Sequence, residues 1–368
     1  MNALPYLASP YKSRQWGNNW HSLCSYQGKL KPSIAYFLIK NFTNPGETVL
    51  DPMCGVGTIP FEASLQGRIG IGNDLSNLAF VVTKAKLGKP SKADVLSVIE
   101  VLENYIENFK ENYNNSDSIP YKNFGLNKKI PEYFHLDTFS EIIAARDFFQ
   151  YRIKDLTEAE CMVFSAFLHV LHGNRPYALS RKSHPLTPYA PTGDCIYKNV
   201  VEHIKRKVEL NYKQIFNENF IKGIAMIEDM FLLPKKLKNI DIIITSPPFI
   251  NSLNFYQSNW MRLWLTGWEP DDFKNVDKNF IEVKQKKGLE IYDKYFETAF
   301  KILKPGGKMI LHLGKSNHCD MGKELMAYAE KYFDIILKGD EDVSLLENHG
   351  IRDKGGTTSH QFLFLMRR

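Results

Sequence analysis

The sequence predicts a doubly wound α/β domain with a mostly parallel sheet, interrupted by a mainly helical insertion. Three stretches carry that prediction. Ile240-Asp241-Ile242-Ile243-Ile244-Thr245 is a short β-branched apolar run stopped by Pro247-Pro248, the pattern of a buried parallel strand that leads straight into a rigid turn. Thr48 to Ala63 is a short apolar strand that runs through Gly55 and Gly57 into a helical pattern, and a second strand, Arg68 to Asn73, ends in Asp74. Residues 89–222 depart from this alternation, so the expected organisation is a discontinuous domain of residues 1–88 and 223–368 around an insertion.

Composition bounds the rest. With 368 residues, 43% hydrophobic and 24% charged, the chain is an ordinary globular protein able to bury a full core. No apolar run reaches the length of a membrane span, and Met1-Asn2-Ala3-Leu4-Pro5 lacks a signal-peptide pattern, so no membrane contact and a cytoplasmic location are expected. Five cysteines (Cys24, Cys54, Cys161, Cys195, Cys319) are dispersed, odd in number and without a CxxC pair; they read as reduced thiols, with no metal site. The net charge of +6 permits a polyanionic partner without demanding one.

The first 34 residues hold Trp16, Trp20, His21 and Tyr26 with the basic set Lys12, Arg14, Lys29 and Lys31. Tyr26-Gln27-Gly28-Lys29-Leu30-Lys31-Pro32 precedes a helix expected over Ser33 to Asn41, with Ser33 as N-cap and Ile34, Phe37 and Leu38 on its inner face. A glycine and a lysine ahead of a helix start suit an anion, or are merely part of a surface arm. In Asp51-Pro52-Met53-Cys54-Gly55-Val56-Gly57-Thr58 the two glycines let backbone approach a ligand closely, and Asp74, closing the next strand, stands where ribose hydroxyls would be accepted.

The insertion begins with a helical stretch, Asp94 to Lys110, then a polar, turn-rich piece from Asn112 to Lys129; helical patterns return at Thr138 to Gln150 and Glu158 to Leu171. The long loop Arg175 to Gly193 alternates basic, hydroxyl and aromatic residues. From Arg175 to Lys213 eight Lys or Arg stand against three acids, so most of the protein's excess charge lies in one stretch. That fits a phosphate-tracking surface, with Arg175, Arg181, Lys182 and Tyr189 as its candidates; the structural alternative is a solvated helix face and a Pro-rich loop.

Beyond the insertion, Gly223 to Asp229 reads as a third strand with acids at its carboxyl end. At Ser246-Pro247-Pro248-Phe249 two consecutive prolines fix φ and force the preceding residue extended, so the carbonyls around Ser246 and Pro247 point in set directions without an N–H to pair them. Such acceptors suit an amino group, and Phe249 adds a flat face for a planar heterocycle. Tyr256, Trp260, Trp264 and Trp268, at fours, read as a helix packed on the core rather than a base platform. Leu303 to Lys308 is a turn before the strand Met309 to Leu313, and Phe333 to Lys338 and Gln361 to Met366 read as the final two strands, the last antiparallel.

The loop Asp51-Pro52-x-Cys54-Gly55-x-Gly57-Thr58 together with Thr245-Ser246-Pro247-Pro248-Phe249 resembles the paired motifs of S-adenosylmethionine-dependent amino-methyltransferases, over roughly residues 20 to 88 and 223 to 368. The likeness is to the DNA enzymes that modify cytosine N4 or adenine N6, and it implies the class I methyltransferase (Rossmann-like) fold. It implies S-adenosyl-L-methionine as cofactor, held by Asp51, Cys54, Gly55, Gly57 and Thr58, with Asp74 on the ribose, Asp229 on the adenine amine and Lys29 near the carboxylate; Glu228 is a rival to Asp229. It implies Ser246, Pro247, Pro248 and Phe249 as catalytic residues acting on a flipped base. Double-stranded DNA is the partner implied, and a cognate restriction endonuclease is admitted. A serine preceded by threonine favours cytosine N4 over adenine N6. An RNA amino-methyltransferase and a non-catalytic DNA-binding module are the other readings.

Overall fold

A computed structural model of the chain describes residues 5–13, 16–26, 28–112, 119–184, 188–250, 255–276, 280–343 and 357–368. Arg14, Gln27, residues 113–118 of the polar piece, Pro185 to Thr187 of the basic loop and Asn251 to Asn254 lie outside the described residues. Strands β1 (Thr48–Asp51), β2 (Ile69–Asp74), β3 (Ile224–Ile227), β4 (Ile240–Thr245), β5 (Leu303–Ser316), β6 (Phe333–Asp342) and β7 (Thr357–Arg367) form one sheet in the order β3-β2-β1-β4-β5-β7-β6. The helices are α1 (Pro32–Phe42), α2 (Thr58–Leu65), α3 (Asn77–Gly88), α4 (Lys92–Asn112), α5 (Leu136–Gln150), α6 (Glu158–Val170), α7 (Val200–Asn211), α8 (Phe255–Ser258), α9 (Trp260–Leu265), α10 (Pro270–Lys274), α11 (Ile281–Lys284), α12 (Ile291–Ile302) and α13 (Met321–Ala329).

The pairings from β3 through β5 are parallel, and β7 is antiparallel to both β5 and β6. This is the Rossmann-like sheet of class I methyltransferases, as the sequence implied. β4 is apolar on both faces because both are covered: Ile242 and Ile244 pack in one layer with Ile34 and Leu38 of α1, Ile243 in the other with Tyr295 and Phe296 of α12. The register sets Leu50 of β1 beside Ile243 of β4 and Asp51 beside Gly72 of β2. The glycine loop after β1 and the proline turn after β4 therefore leave the sheet side by side, at its carboxyl edge.

Two local expectations are corrected. Lys31, not Ser33, is the N-cap of α1; Pro32 takes the first helical position, where its fixed φ and missing N–H cost nothing, and Ser33 is buried at the second. β5 starts earlier than expected, at Leu303: its pairing with β4 jumps from Leu303 to Lys308, so the Gly306-Gly307 turn is absorbed as an irregularity within one strand.

The helices of the insertion do not stand apart from the sheet's own helical layer. Val81 and Leu87 of α3, Leu102 of α4, Ile142 of α5, Phe164 of α6 and Ile204 of α7 belong to one apolar core. Trp260 and Trp264 are fully buried in it, so the tryptophan segment is a core helix, broken into α8 and α9 at Asn259. No helix among the described residues is long and apolar enough to cross a membrane.

Candidate active site

The glycine loop is shaped by its own sequence. Gly55 has φ +50° and Gly57 φ +70°, left-handed values that side chains disfavour; a Cβ on Gly57 would also lie 2.7 Å from Thr83 Oγ1, and one on Gly55 3.1 Å from Tyr26 Oη. Asp74 ties the loop to β2: its Oδ2 accepts the Gly55 N–H at 2.9 Å and its Oδ1 the Ser76 N–H at 3.0 Å. Asp51 accepts from the Met53 N–H at 3.3 Å, and Cys54 and Thr58 are buried beneath the loop. At the end of β3 the half-buried Asp229 accepts from the Phe231 N–H at 3.0 Å, whereas Glu228 is ion-paired with Lys236. Asp51, Asp74 and Asp229 thus stand at the ends of three adjacent strands.

Burial raises the Asp51 carboxyl to about 7 and the Asp74 carboxyl to about 6, against the backbone N–H groups that pull the other way. Beside them the sign reverses. Lys29 Nζ donates to the His21 carbonyl at 2.7 Å, Lys207 Nζ to the Ser22 carbonyl at 3.0 Å and Lys86 Nζ to the Val56 carbonyl at 2.6 Å. Desolvation lowers all three ammonium groups, Lys207 to about 8. Buried carboxyls at the strand ends, with the buried Lys86 and the partly buried Lys29 and Lys207 nearby, fit a ligand that carries cationic centres and a carboxylate. S-adenosylmethionine is such a ligand, with its sulfonium, amino group and carboxylate. Among the described residues no cluster of His, Cys, Asp or Glu could hold a metal ion.

The proline turn is gripped from two sides. Gln285, just after α11, donates to the Pro248 carbonyl at 3.1 Å, and Ser246 Oγ lies 3.0 Å from His312 Nδ1 on β5. The Phe249 ring is half-buried over Gly314, with its centroid 5.5 Å from that of His312 and 6.0 Å from that of His360. A Cβ on Gly314 would fall 2.5 Å from the Phe249 ring. Gly314→Ala is therefore expected to displace Phe249 and slow methyl transfer at least tenfold with cofactor affinity unchanged; steady-state kinetics and calorimetry check both halves.

Sequence reasoning missed three contributors. His312 carried one signal, a histidine inside the otherwise apolar run Met309-Ile310-Leu311-His312-Leu313. Glu282 and Gln285 carried none; the Tyr26 segment stood out in the sequence, and the structure adds that its ring lies over Gly55. Glu282 holds the Phe255 N–H at 3.2 Å, and burial raises its carboxyl to about 7. In the basic loop, Arg175, Lys182 and Tyr189 are exposed, while Arg181 donates through Nη2 and Nε to the Gly193 carbonyl at 2.7 and 3.1 Å and so closes its own loop.

A family described as UPF0020, RMKL-like, methyltransferase domain matches residues 20–120, the stretch that holds the Tyr26 segment, the glycine loop and Asp74. The type II methyltransferase M.MjaII of Methanocaldococcus jannaschii is 24% identical over 154 residues, which span 38% of this chain and 29% of that protein. The chain thus matches less than a third of this curated relative's length. Among solved structures, TrmN from Thermus thermophilus aligns at 13% identity and a TM-score of 0.35, over 93% of this chain and 50% of that one. The rRNA methyltransferase aviRa from Streptomyces viridochromogenes aligns at 10% identity and a TM-score of 0.35, over 97% and 96%. The stretch that matches the methyltransferase-domain family coincides with the loop whose charges suit S-adenosylmethionine.

Proposed function

We propose that the protein transfers the methyl group of S-adenosylmethionine to N4 of cytosine in double-stranded DNA, with the target base flipped out to lie between the glycine loop and the proline turn. The observation that carries this reading is the adjacency of the two loops at the ends of β1 and β4, with the Ser246 hydroxyl held in a set direction at 3.0 Å from His312. The cofactor supplies an already activated methyl group on a sulfonium centre. The chain supplies alignment and a better nucleophile. An exocyclic amine is a poor nucleophile because its lone pair is delocalised into the ring. Hydrogen bonds donated by the amine to the Pro247 carbonyl and to Ser246 Oγ favour a pyramidal nitrogen with its lone pair towards the methyl group, and Phe249 offers the base an apolar face.

In this reading the insertion of residues 89–222 meets the duplex, and the exposed Arg175, Lys182 and Tyr189 on its long loop face the phosphates. Arg175→Ala and Lys182→Ala should each lower the magnitude of the slope of log affinity against log salt by about 1, across unrelated duplexes alike. Fluorescence anisotropy between 50 and 200 mM salt measures it, and an unchanged slope removes these residues from the interface.

Nucleosides of DNA from a host expressing the protein, separated by mass spectrometry, test the product. N4-methylcytosine is expected. N6-methyladenine would overturn the choice of base and keep the site; labelled methyl entering RNA but not duplex DNA would overturn the choice of nucleic acid.

A further inference from the structure

The chain from Met309 to Leu313 is the centre of a buried strand, and four of its five residues are apolar. The fifth, His312, is only 4% exposed. Its Nδ1 lies 3.0 Å from Ser246 Oγ, and its Nε2 is buried without a partner among the described residues. A polar ring in such a place costs free energy that a leucine would not, because burying an imidazole with one unpaired nitrogen forfeits its hydration. Burial also drives His312 far below the ordinary imidazole range, and the neighbouring His360 pushes in the same direction, so the ring is neutral.

We propose that His312 is the positioning residue of the site: as the neutral Nε2–H tautomer it accepts the Ser246 O–H at Nδ1, turns the serine's lone pairs towards the target amine, and receives the proton that the reaction releases. This rests on the reading of the Ser246 turn as the methyl-transfer site.

The proposed role requires this tautomer. If Nδ1 carried the proton, it would occupy one Ser246 lone pair and could not accept the serine proton. With Nδ1 as acceptor, Oγ is left with lone pairs only, and an amine N–H has a partner. The transfer then balances. The amine nitrogen forms its bond to the methyl carbon as the bond from that carbon to sulfur breaks, the electron pair staying on sulfur. One amine proton passes to Ser246 Oγ while the serine proton passes to His312 Nδ1. The nitrogen ends neutral, and the charge that left sulfur sits on the imidazole.

The groups that face His312 from the elements packed against it are His360 on β7, whose ring centroid is 4.7 Å away, and the aromatic rings of Phe249 and Phe362. Behind His360 stands the buried Glu341 of β6, its Oε2 3.8 Å from His360 Nδ1 and accepting from the Tyr6 hydroxyl at 2.6 Å. A carboxylate beyond the two imidazoles favours positive charge on the pair while His312 holds the proton.

Two measurements test the proposal, one of them independent of turnover. Long-range nitrogen–proton correlation spectra of the histidine rings in the cofactor-free protein should give His312 as the neutral Nε2–H tautomer at neutral pH, with an Nδ1 shift that moves in Ser246→Ala. An Nδ1–H tautomer, or an imidazolium at neutral pH, overturns it. In the kinetic test, His312→Leu keeps the strand apolar and is expected to lower kcat on duplex DNA by about a hundredfold with cofactor affinity within twofold of the parent. His312→Leu combined with Ser246→Ala should be no slower than Ser246→Ala alone, because the two side chains act as one unit. Losses that multiply, or a His312→Leu enzyme within threefold of the parent, refute the role of His312 and leave the site intact. A Ser246→Ala enzyme of full activity refutes the site itself.

Discussion

Ser246→Ala is expected to lower methyl transfer by two to three orders of magnitude while the cofactor dissociation constant stays within about twofold. The size follows from what is lost: an acceptor aimed at hydrogens that grow more acidic as the amine attacks. Removing a comparable preorganised partner costs about 3 to 4 kcal/mol of transition-state stabilisation. The split follows from the fold. Ser246 leaves the end of β4 and meets His312 of β5, whereas the cofactor loop is held by Asp74 and by its own glycines. Single-turnover kinetics beside calorimetry separate the effects; a variant that loses cofactor affinity and rate together would show that Ser246 shapes the loop rather than the reaction.

Asp51→Asn should weaken cofactor binding ten- to a hundredfold and stabilise the cofactor-free protein above pH 7. Both effects arise from one buried carboxyl held near 7 by desolvation. In the unfolded chain it titrates at its ordinary value near 4, so between roughly pH 4 and 7 the folded state keeps a proton that the unfolded state has released. Stability therefore falls as pH rises through that window, by about 4 kcal/mol from this group, and Asn removes that fall. Asp74, at about 6, and Glu282, at about 7, add falls of the same sign. Cofactor binding runs the other way. A cationic ligand needs the ionised carboxylate, so affinity should rise from pH 5 to 7 in the parent and rise less in Asp51→Asn. Denaturant titrations of the cofactor-free protein and calorimetry across that range read both. An Asn variant that follows the parent's pH dependence in both would refute the assignment.

What could be read in advance divides along a physical line. The strands over 48–51, 69–74 and 240–245 were legible because a parallel strand covered on both faces must be apolar throughout, and Asp51, Asp74 and the Pro247-Pro248 pair mark where each covering ends. Gly55 and Gly57 were legible because left-handed backbone leaves few alternatives to glycine. Helix starts were less so: by side-chain chemistry Ser33 is a better cap than Lys31, yet Pro32 decided the first helical position.

The sequence by itself therefore determined the sheet, its carboxyl edge, the two loops that leave it and the charged residues that close its strands, because each of these is a local pattern of period, φ or charge. Only the tertiary structure decided which side chains from distant segments complete the site. His312 lies 66 residues from Ser246 and Gln285 37 from Pro248, while Lys207 comes from a helix of the insertion to the Ser22 carbonyl. Local propensity constrains a residue's backbone and its burial. Which distant group its polar atoms meet is set by strand order and helix packing, and that information is spread over the whole chain rather than held at the residue itself.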